Sequence, residues 1–361
     1  MRNLVLLCLL LFLTSCYASE NDSPDSDTSI TVSDIKDDET LVFFRTSAWL
    51  DQDTLSWHLP VHGWIYESQD SVARKALAAA VLEQQFGLEV TDDNDGNFSR
   101  RLNLLLADNE RGKEIVVNLA GREYTLAPSA ENGHIEDVLV VPADKLDHFG
   151  KNGLVEFSAS APDSRTFRGE VRLLAPQGLS VVSDIDDTVK VSKVTDRKRL
   201  LEHAFLLDFS AAPGMSSLYS RWNQENVAFH FVSSSPWQLY APLQEFLDAA
   251  DFPWATFNLK TVRFRDETLF DLFRKGTETK PAIIESILHR NPGRQFIHVG
   301  DSGEQDPEVY AGLLRRYPDQ VQRIYIRNVT GEAADNERFA TLFEGIEPGR
   351  WSLFDDPAGL P

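Results

Sequence analysis

The chain has 361 residues, enough for about two domains, and 42% of them are hydrophobic, enough for a packed core in each. Its formal net charge of −21 argues against nucleic acid as a partner, because no surplus of Lys and Arg is available to displace counterions from phosphates. An acidic protein that handles an anionic ligand needs a local cation, and a bound metal ion fits that need better than a basic groove.

The first segment, residues 1–16, has the pattern of an export signal. Arg2 supplies a positive charge, and the apolar run Leu4–Leu13 is too short to span a bilayer comfortably. The string that ends at Cys16 resembles the lipobox of bacterial lipoproteins, in which this Cys is lipidated. The resemblance implies a lipid-anchored protein of the bacterial cell envelope, on the periplasmic side of the outer membrane. A plain signal peptide with an incidental Cys is the alternative.

Two further segments follow this signal. Residues 17–40 are polar and acidic with almost nothing to bury, which predicts a disordered tether. Residues 41–176 contain short strands separated by Gly, Asp and Asn turns, which predicts a β-rich, sandwich-like domain. The predicted strands are Thr40–Ser47, His62–Glu67, Arg100–Ala107, Glu114–Leu119, Glu123–Leu126, His134–Val141, Leu154–Ala159 and Arg165–Leu174.

One helix is predicted to interrupt these strands, Ser71–Phe86, with Ser71 as its N-cap and Gly87 as its stop. The loop 91–96 lacks the ligand pattern of an EF-hand. The eight histidines of the chain show no metal-site spacing and are interpreted as structural. No chemistry is therefore predicted in the β-rich domain.

From residue 177 to 361 strands and helices alternate, which predicts an α/β domain with a mostly parallel sheet and helices on both faces. The apolar strand that begins at Leu179 ends in Asp184 and Asp186, at the strand end where ligands bind in such sheets. Two carboxylates this close repel unless a proton or a cation joins them, so the pair predicts a divalent metal ion. An Asp-rich turn that caps the next element is the alternative.

A second candidate lies at the end of the next predicted strand, Val227–Val232. Three serines follow it, and Pro236 suits the first position of a helix. Hydroxyls and free amides converge at such a helix start and favour an anion. Ser233, with Ser234 beside it, is the predicted phosphate contact, and serines that only cap the helix are the alternative.

Two more signals follow in the same order along the chain. Lys280 stands at the start of an apolar helix, where it can neutralise a bound phosphoryl group. The predicted strand Gln295–Val299 leads into Asp301 and Asp306, a second group of carboxylates at a strand end. A Mg²⁺ ion bridged between the two strand ends would need this supply of acids.

These four motifs, in this order along the chain, resemble those of the haloacid dehalogenase superfamily of phosphohydrolases. They are D-x-D-x-T at Asp184, a strand followed by Ser233, Lys280 at a helix start, and G-D-x-x-x-x-D at Gly300. The strings 183–190, 231–240 and 300–306 resemble, more specifically, the App1-type family, the actin-patch-associated phosphatidate phosphatases and their bacterial relatives. The resemblance covers about residues 178–330. It implies a haloacid-dehalogenase-like (Rossmannoid) sheet with a minimal cap, because the first two motifs are too close in sequence for a large inserted cap domain.

The resemblance also implies roles. Asp184 is the expected nucleophile, which takes up the phosphoryl group, and Asp186 the expected proton donor and later acceptor. Mg²⁺ is expected on Asp184, the backbone carbonyl of Asp186, and Asp301, with Asp306 either as a further ligand or as an acid that contacts the ligands. Lys280 is expected to hold the phosphoryl oxygens.

Ser233 and Ser234 complete the expected substrate contacts. The expected activity is Mg²⁺-dependent hydrolysis of a phosphomonoester at a membrane surface. The resemblance favours phosphatidate as the substrate, which would be converted to diacylglycerol. A phosphatase for a soluble phosphomonoester or a phosphoprotein is one alternative, and a non-catalytic exported binding lipoprotein is another. A basic cluster after the nucleophile either contacts anionic lipid or is a solvated helix start: Lys190, Lys193, Arg197, Lys198 and Arg199. Trp237 is expected either to enter the membrane interface or to pack its helix.

Overall fold

The structure is a computed structural model that describes residues 31–146, 153–223, 227–261 and 279–361. The predicted signal peptide, its Cys16 and residues 17–30 lie outside the described residues. Residues 31–361 form one compact unit that contains two sheets. Within the described ranges no helix has the length and apolar character needed to cross a bilayer.

The first sheet has nine strands. They are β1 Glu39–Phe43, β2 Thr46–Asp51, β3 Ser56–Glu67, β4 Asp108–Asn109, β5 Val116–Leu119, β6 Arg122–Thr125, β7 His134–Pro142, β8 Leu154–Ser160 and β9 Thr166–Leu174. The order is β1-β3-β2-β9-β8-β5-β6, with β4 and β7 paired to β3, and among the described strands of this first sheet only the β2–β9 pair is parallel.

This sheet curls around its own apolar core. The ring of Phe43 on β1 lies 4.8 Å from that of Phe157 on β8, although these strands are not neighbours in the order. The expected sandwich is therefore one connected, curled sheet. The predicted tether ends earlier than residue 40, because Ser33 and Ile35 are buried against this sheet and β1 already begins at Glu39.

Two helices lie between β3 and β4. Helix α1, Val72–Phe86, is confirmed with its caps: the Ser71 hydroxyl accepts from an amide of the first turn, and Gly87 has a φ of 61°. The predicted strand Arg100–Ala107 is wrong, because Asp95–Leu105 form helix α2. The buried residues of α2 recur at helical spacing: Phe98, Arg101, Leu102 and Leu105.

The second sheet has six strands, all parallel. They are β10 Gly178–Ser183, β11 Ala228–Pro236, β12 Ala255–Lys260, β13 Arg294–Asp301, β14 Val321–Arg327 and β15 Trp351–Phe354. Their order, β12-β11-β10-β13-β14-β15, is that of a doubly wound α/β sheet, which confirms the predicted fold class.

Helices cover both faces of this sheet. They are α3 Arg197–Phe205, α4 Met215–Asn223, α5 Tyr240–Ala249, α6 Thr279–Arg290, α7 Asp306–Arg316 and α8 Glu337–Leu342. Successive residues of β10 point to opposite faces: Val181 packs in a cluster with α3, α4 and α5, and Val182 in one with α6, α7 and α8. Among the described residues between β10 and β11, the only α-helices are α3 and α4, as expected for a minimal cap.

The two sheets meet along the start of α5. The ring of Phe44 stacks on that of Trp237, with centroids 4.3 Å apart. The Arg45 guanidinium donates to Asp248 of α5 at 2.8 and 3.0 Å and to Glu170 of β9 at 3.1 Å. Trp237 is only 5% exposed, so it packs this junction and is not a membrane contact.

Candidate active site

Carboxylates from two strand ends meet at the point where the sheet order reverses. Asp184 directly follows β10, and Asp301 is the last residue of the neighbouring strand β13. Ligand oxygens of Asp184, Asp301 and Asp306 all lie within 4.8 Å of one another, and all three residues are fully buried. The structure therefore brings together the three carboxylates that the sequence singled out as metal ligands.

The loop after β13 explains why Asp306 reaches this point. A side chain at Gly300 would lie 2.3 Å from Asp306 Oδ2, so glycine leaves the space that the carboxylate occupies. Asp301 Oδ1 accepts hydrogen bonds from the amides of Gly303 and Glu304 at 2.6 and 3.1 Å. The loop thus turns back on Asp301, and α7 begins with Asp306 inside the site.

Lys280 is buried in the first turn of α6 and supplies a cation to this cluster. Its Nζ donates to Asp184 Oδ1 at 2.9 Å and to Asp306 Oδ1 at 2.5 Å, and lies 3.9 Å from Glu304. Burial lowers the pKa of Lys280, but the carboxylates of Asp184 and Asp306 outweigh it and raise that pKa well above its ordinary value. The lysine is therefore charged in the folded protein.

One ammonium does not neutralise three carboxylates. Burial, opposed by Lys280 and reinforced by Asp306, raises the pKa of Asp184 well above its ordinary range. Burial and the neighbouring Asp306 do the same for the pKa of Asp301. Within the described part of the chain, Asp184 Oδ2 and Asp301 Oδ2 are buried without a hydrogen-bond partner. Unpartnered oxygens in a donor set made only of oxygens fit Mg²⁺.

Asp186 lies apart from this cluster and has its own partners. One oxygen lies 2.8 Å from Lys190 Nζ and accepts from the Ser192 hydroxyl at 2.7 Å. The other accepts from the hydroxyls of Ser233 and Ser235, each at 3.0 Å. Burial raises the pKa of Asp186, but Lys190 and the hydroxyls outweigh it and lower the pKa to about 2. Asp186 is a charged acceptor here, and its roles as proton donor and metal ligand stay predictions.

These contacts change part of the sequence interpretation. Lys190 is 3% exposed and pairs with Asp186, so it does not belong to a surface basic cluster. The three serines belong to β11 and do not form a separate turn. Ser234 is half-buried and lines a small cavity with Asp186 and Ser235.

Sequence reasoning missed Ser235, Ser192 and Lys190 as partners of Asp186. A period of two from Ser233 along the strand would have pointed to Ser235. The other two carry no such signal, because they reach Asp186 only through the turn after β10. That turn is held by Asp187, which has a φ of 55° and accepts from the amides of Ser192, Lys193 and Val194 at 2.7–2.9 Å.

Comparison with known proteins gives a match over the segment that carries this site. Residues 179–328 match the family model described as the catalytic domain of phosphatidate phosphatase APP1. This segment resembles an App1-type catalytic domain. The matched segment contains Asp184, Lys280, Asp301 and Asp306.

Two curated proteins are also similar to part of the chain. Over 178 residues the chain is 32% identical to phosphatidate phosphatase APP1 of Saccharomyces cerevisiae, covering 48% of this chain and 30% of that protein. Over 215 residues it is 27% identical to an uncharacterized protein of Schizosaccharomyces pombe, covering 58% and 35%. The chain therefore spans about a third of the length of the curated relatives it matches.

Similar solved structures include two D,D-heptose 1,7-bisphosphate phosphatases. The one from B. bronchiseptica, complexed with magnesium and phosphate, has 15% identity and a TM-score of 0.30, over 50% of this chain and 94% of that one. The one from Burkholderia thailandensis has 14% identity and a TM-score of 0.24, over the same shares of the two chains. Likeness at this level adds nothing to the fold assignment, which rests on the strand order.

Proposed function

We propose that this chain is a Mg²⁺-dependent phosphatase that hydrolyses phosphatidate, or a closely similar lipid phosphomonoester, at a membrane surface. The observation that carries the proposal is the state of Asp184. One of its oxygens is held by Lys280, and the other has no partner among the described residues and belongs to a cluster with Asp301 and Asp306. A buried carboxylate with one free oxygen is suited to act as a nucleophile.

In the proposed reaction, Asp184 Oδ2 attacks phosphorus and the bond from phosphorus to the ester oxygen breaks. The lipid leaves as an alcohol after its oxygen takes a proton from Asp186, which must first be protonated. Water then attacks the aspartyl-phosphate, gives a proton back to Asp186, and releases inorganic phosphate with Asp184 restored. Lys280 keeps Asp184 in position throughout.

Asp184, Asp301 and Asp306 would hold Mg²⁺, which supplies positive charge opposite the phosphoryl oxygens when it is bound. Ser233 and Ser235 donate to Asp186 in the absence of substrate, and in the proposed complex both hydroxyls would donate to the phosphoryl group instead.

An apolar wall beside Asp186 supports a lipid as the substrate. The small cavity that contains Asp186 and Ser234 is also lined by Lys190, by Glu304 and by six apolar side chains: Val194, Leu200, Ala204, Phe209, Leu239 and Leu243. Such a wall suits the first carbons of a glycerolipid next to its phosphate better than it suits a sugar phosphate.

The outer face of α1 supports action at a membrane surface. Val72 is 78% and Leu77 is 68% exposed, and the exposed apolar residues lie along one side of the helix: Val72, Ala73, Ala76, Leu77 and Ala80. The end of α1 contacts the basic start of α3, where Lys198 donates to the Gly87 carbonyl at 3.0 Å. Because α3 also lines the cavity beside Asp186, the apolar side of α1 and the basic residues of α3 would approach anionic lipid near the site.

Phosphate release tests the proposal. We expect the full chain to release phosphate from vesicles that contain phosphatidate much faster than from a soluble aryl phosphate, and to lose both activities when Mg²⁺ is chelated. A higher rate on the soluble ester would favour a soluble substrate. Release of phosphate from neither substrate with Mg²⁺ present would contradict the enzymatic proposal.

Lipid anchoring through Cys16 is a separate part of the proposal. We expect Cys16→Ser to move the chain from the membrane fraction to the soluble fraction of bacterial cells that process lipoproteins. A variant that still fractionates with the outer membrane would contradict anchoring through this residue.

A further inference from the structure

A second cluster of metal-binding side chains lies on the curled sheet, away from the three carboxylates. His62 on β3 and Glu136 on β7 are directly opposite each other in the antiparallel pair, and His134 precedes Glu136 by two residues on the same strand. Side chains at i and i+2 share a face of a sheet, as do directly opposite residues. The three side chains therefore converge on one face of a two-stranded ribbon.

The distances in this cluster are those of metal ligands. His62 Nε2 lies 2.9 Å from His134 Nδ1 and 3.6 Å from Glu136 Oε1, and one ligand atom from each of the three residues lies within 4.8 Å of the others. Two nitrogens bound to one tetrahedral zinc ion at about 2.0–2.1 Å would be separated by about 3.3 Å. Small shifts of the side chains would bring all three atoms to that geometry.

The surroundings keep both imidazoles neutral and fixed. The His62 ring meets the rings of Phe44 and Trp237 edge-on, at 4.7 and 4.5 Å. Burial lowers the pKa of His62 well below its ordinary value, and that of His134 to about 4. A neutral imidazole is the form that binds a metal ion, so neither ligand has to lose a proton near neutral pH.

One side of the cluster is open. His62 and Glu136 line a cavity of about 490 Å³ between the two sheets, which Asn258 and Arg290 also line, and the Glu136 side chain is 71% exposed. An ion held by three side chains would keep a further coordination position toward this cavity, as in sites with three protein ligands.

We propose that His62, His134 and Glu136 bind one divalent transition-metal ion, of which zinc is the representative. Two imidazole nitrogens and one carboxylate are donors for zinc, whereas Mg²⁺ prefers oxygen alone, so this site differs in ligand class from the three-carboxylate cluster. The ion would tie β3 to β7 directly beneath Trp237, the residue that follows the Ser233–Pro236 segment of the candidate active site. This proposal does not depend on the phosphatase function.

Zinc itself is the probe, added to the metal-free full chain in excess Mg²⁺ so that the oxygen cluster is occupied. Competition with a chromophoric chelator should give one zinc per chain, and thermal denaturation should shift to higher temperature with zinc but not with further Mg²⁺. Co²⁺ in place of zinc should give the visible absorption of a nitrogen-ligated ion.

Variants locate the ion. Glu136→Gln changes an exposed side chain and should weaken zinc binding at least about 10-fold, and His62→Gln at least about 100-fold, since ligands outweigh the outer-shell groups that contribute 10–100-fold. His58→Gln is the matched control, because His58 is on the same strand and outside the cluster. The proposal is overturned if the parent chain binds no zinc, which would leave only a His62–His134 hydrogen bond, or if E136Q and H62Q bind zinc as tightly as H58Q.

Discussion

In the parallel sheet three carboxylates lie together at the ends of the strands, those of Asp184, Asp301 and Asp306. In the curled sheet His62, His134 and Glu136 lie together on one face of the β3–β7 pair. In the first cluster the ligands come from separate strands and loops and are completely buried. In the second they come from directly paired positions, and Glu136 remains exposed. The two clusters therefore differ in both donor type and solvation.

This difference has an electrostatic consequence. Burial raises the pKa of Asp184, and the three carboxylates repel one another more than Lys280 offsets, so without a metal ion, bound protons relieve the repulsion. The histidine cluster is neutral except for Glu136 and is stable without an ion through the His62–His134 hydrogen bond. A cation should thus matter for chemistry in the parallel sheet and mainly for stability in the curled one.

The largest effect should follow from removing the carboxylate expected to act as nucleophile. Asp184→Asn keeps the shape of the side chain but cannot take up a phosphoryl group, so we expect phosphate release to fall at least about 10⁴-fold with the fold retained. Phosphate release measures the activity, and circular dichroism measures whether the fold is retained. Asp319→Asn, at an exposed position, is the control. Full activity of D184N would mean that the three-carboxylate cluster is structural, as the histidine cluster is, and would contradict the difference drawn between the two clusters.

Removing the lysine tests the charge balance of the same cluster. Lys280→Met leaves Asp184 and Asp306 without their cation, so we expect activity to fall at least about 100-fold. The free energy of unfolding at pH 8 with chelator should fall by about 3 kcal/mol, and added Mg²⁺ should restore part of it.

Urea denaturation with and without Mg²⁺ measures this change in stability. Lys145→Met is its control, since the Lys145 side chain is 68% exposed. If K280M and K145M have the same free energy of unfolding, the charge of Lys280 does not stabilise the three carboxylates, and the prediction is wrong.

His298 of the parallel sheet is a buried histidine outside any proposed metal site, and can be compared with His62 and His134 of the curled sheet. His298 on β13 is fully buried, both ring nitrogens lack a partner among the described residues, and burial lowers its pKa to about 3. The unfolded chain binds a proton here below about pH 6.5, but the folded chain does not. The contribution of neutral His298 to the free energy of unfolding is therefore fully present above about pH 6.5 and is lost as the pH falls toward 3. At pH 5 this loss amounts to about 2 kcal/mol.

His298→Leu removes this proton linkage. We expect the free energy of unfolding of H298L, relative to the parent chain, to increase by about 2 kcal/mol between pH 8 and pH 5. Denaturant unfolding at the two pH values measures it, with His289→Leu, at an exposed position on α6, as the control. An unchanged difference between H298L and the parent chain at the two pH values would show that His298 is not held neutral by burial.

The smallest effect concerns the exposed apolar side of α1, which we propose contacts the membrane. Leu77→Glu on the apolar side of α1 should lower activity on phosphatidate vesicles several-fold and leave activity on a soluble aryl phosphate unchanged. Leu55→Glu, also at an exposed leucine but in the turn between β2 and β3, should change neither. Equal activities of L77E and L55E on vesicles would remove α1 from the proposed membrane contact.

Prediction from the sequence succeeded where the signal was local and strong. The apolar run that ends at Asp184, the spacing from Asp301 to Asp306, and the caps of α1 each lie within a few residues, and the structure has the expected element at each. The helix α2 was mistaken for a strand, because over Arg100–Ala107 alternation and helical spacing both fit, and only packing on the rest of the fold distinguishes them.

The sequence by itself determined the α/β class of the second half, the App1 likeness and the identity of the carboxylates, because each is written in residues close together along one strand and its loop. Tertiary structure alone decided that Lys190 and Ser192 contact Asp186. It alone also decided that His62 meets His134, 72 residues away. The physical reason is that the turn after β10 sets the first neighbours and the pairing of distant strands sets the others, and a single sequence does not show which distant strands pair.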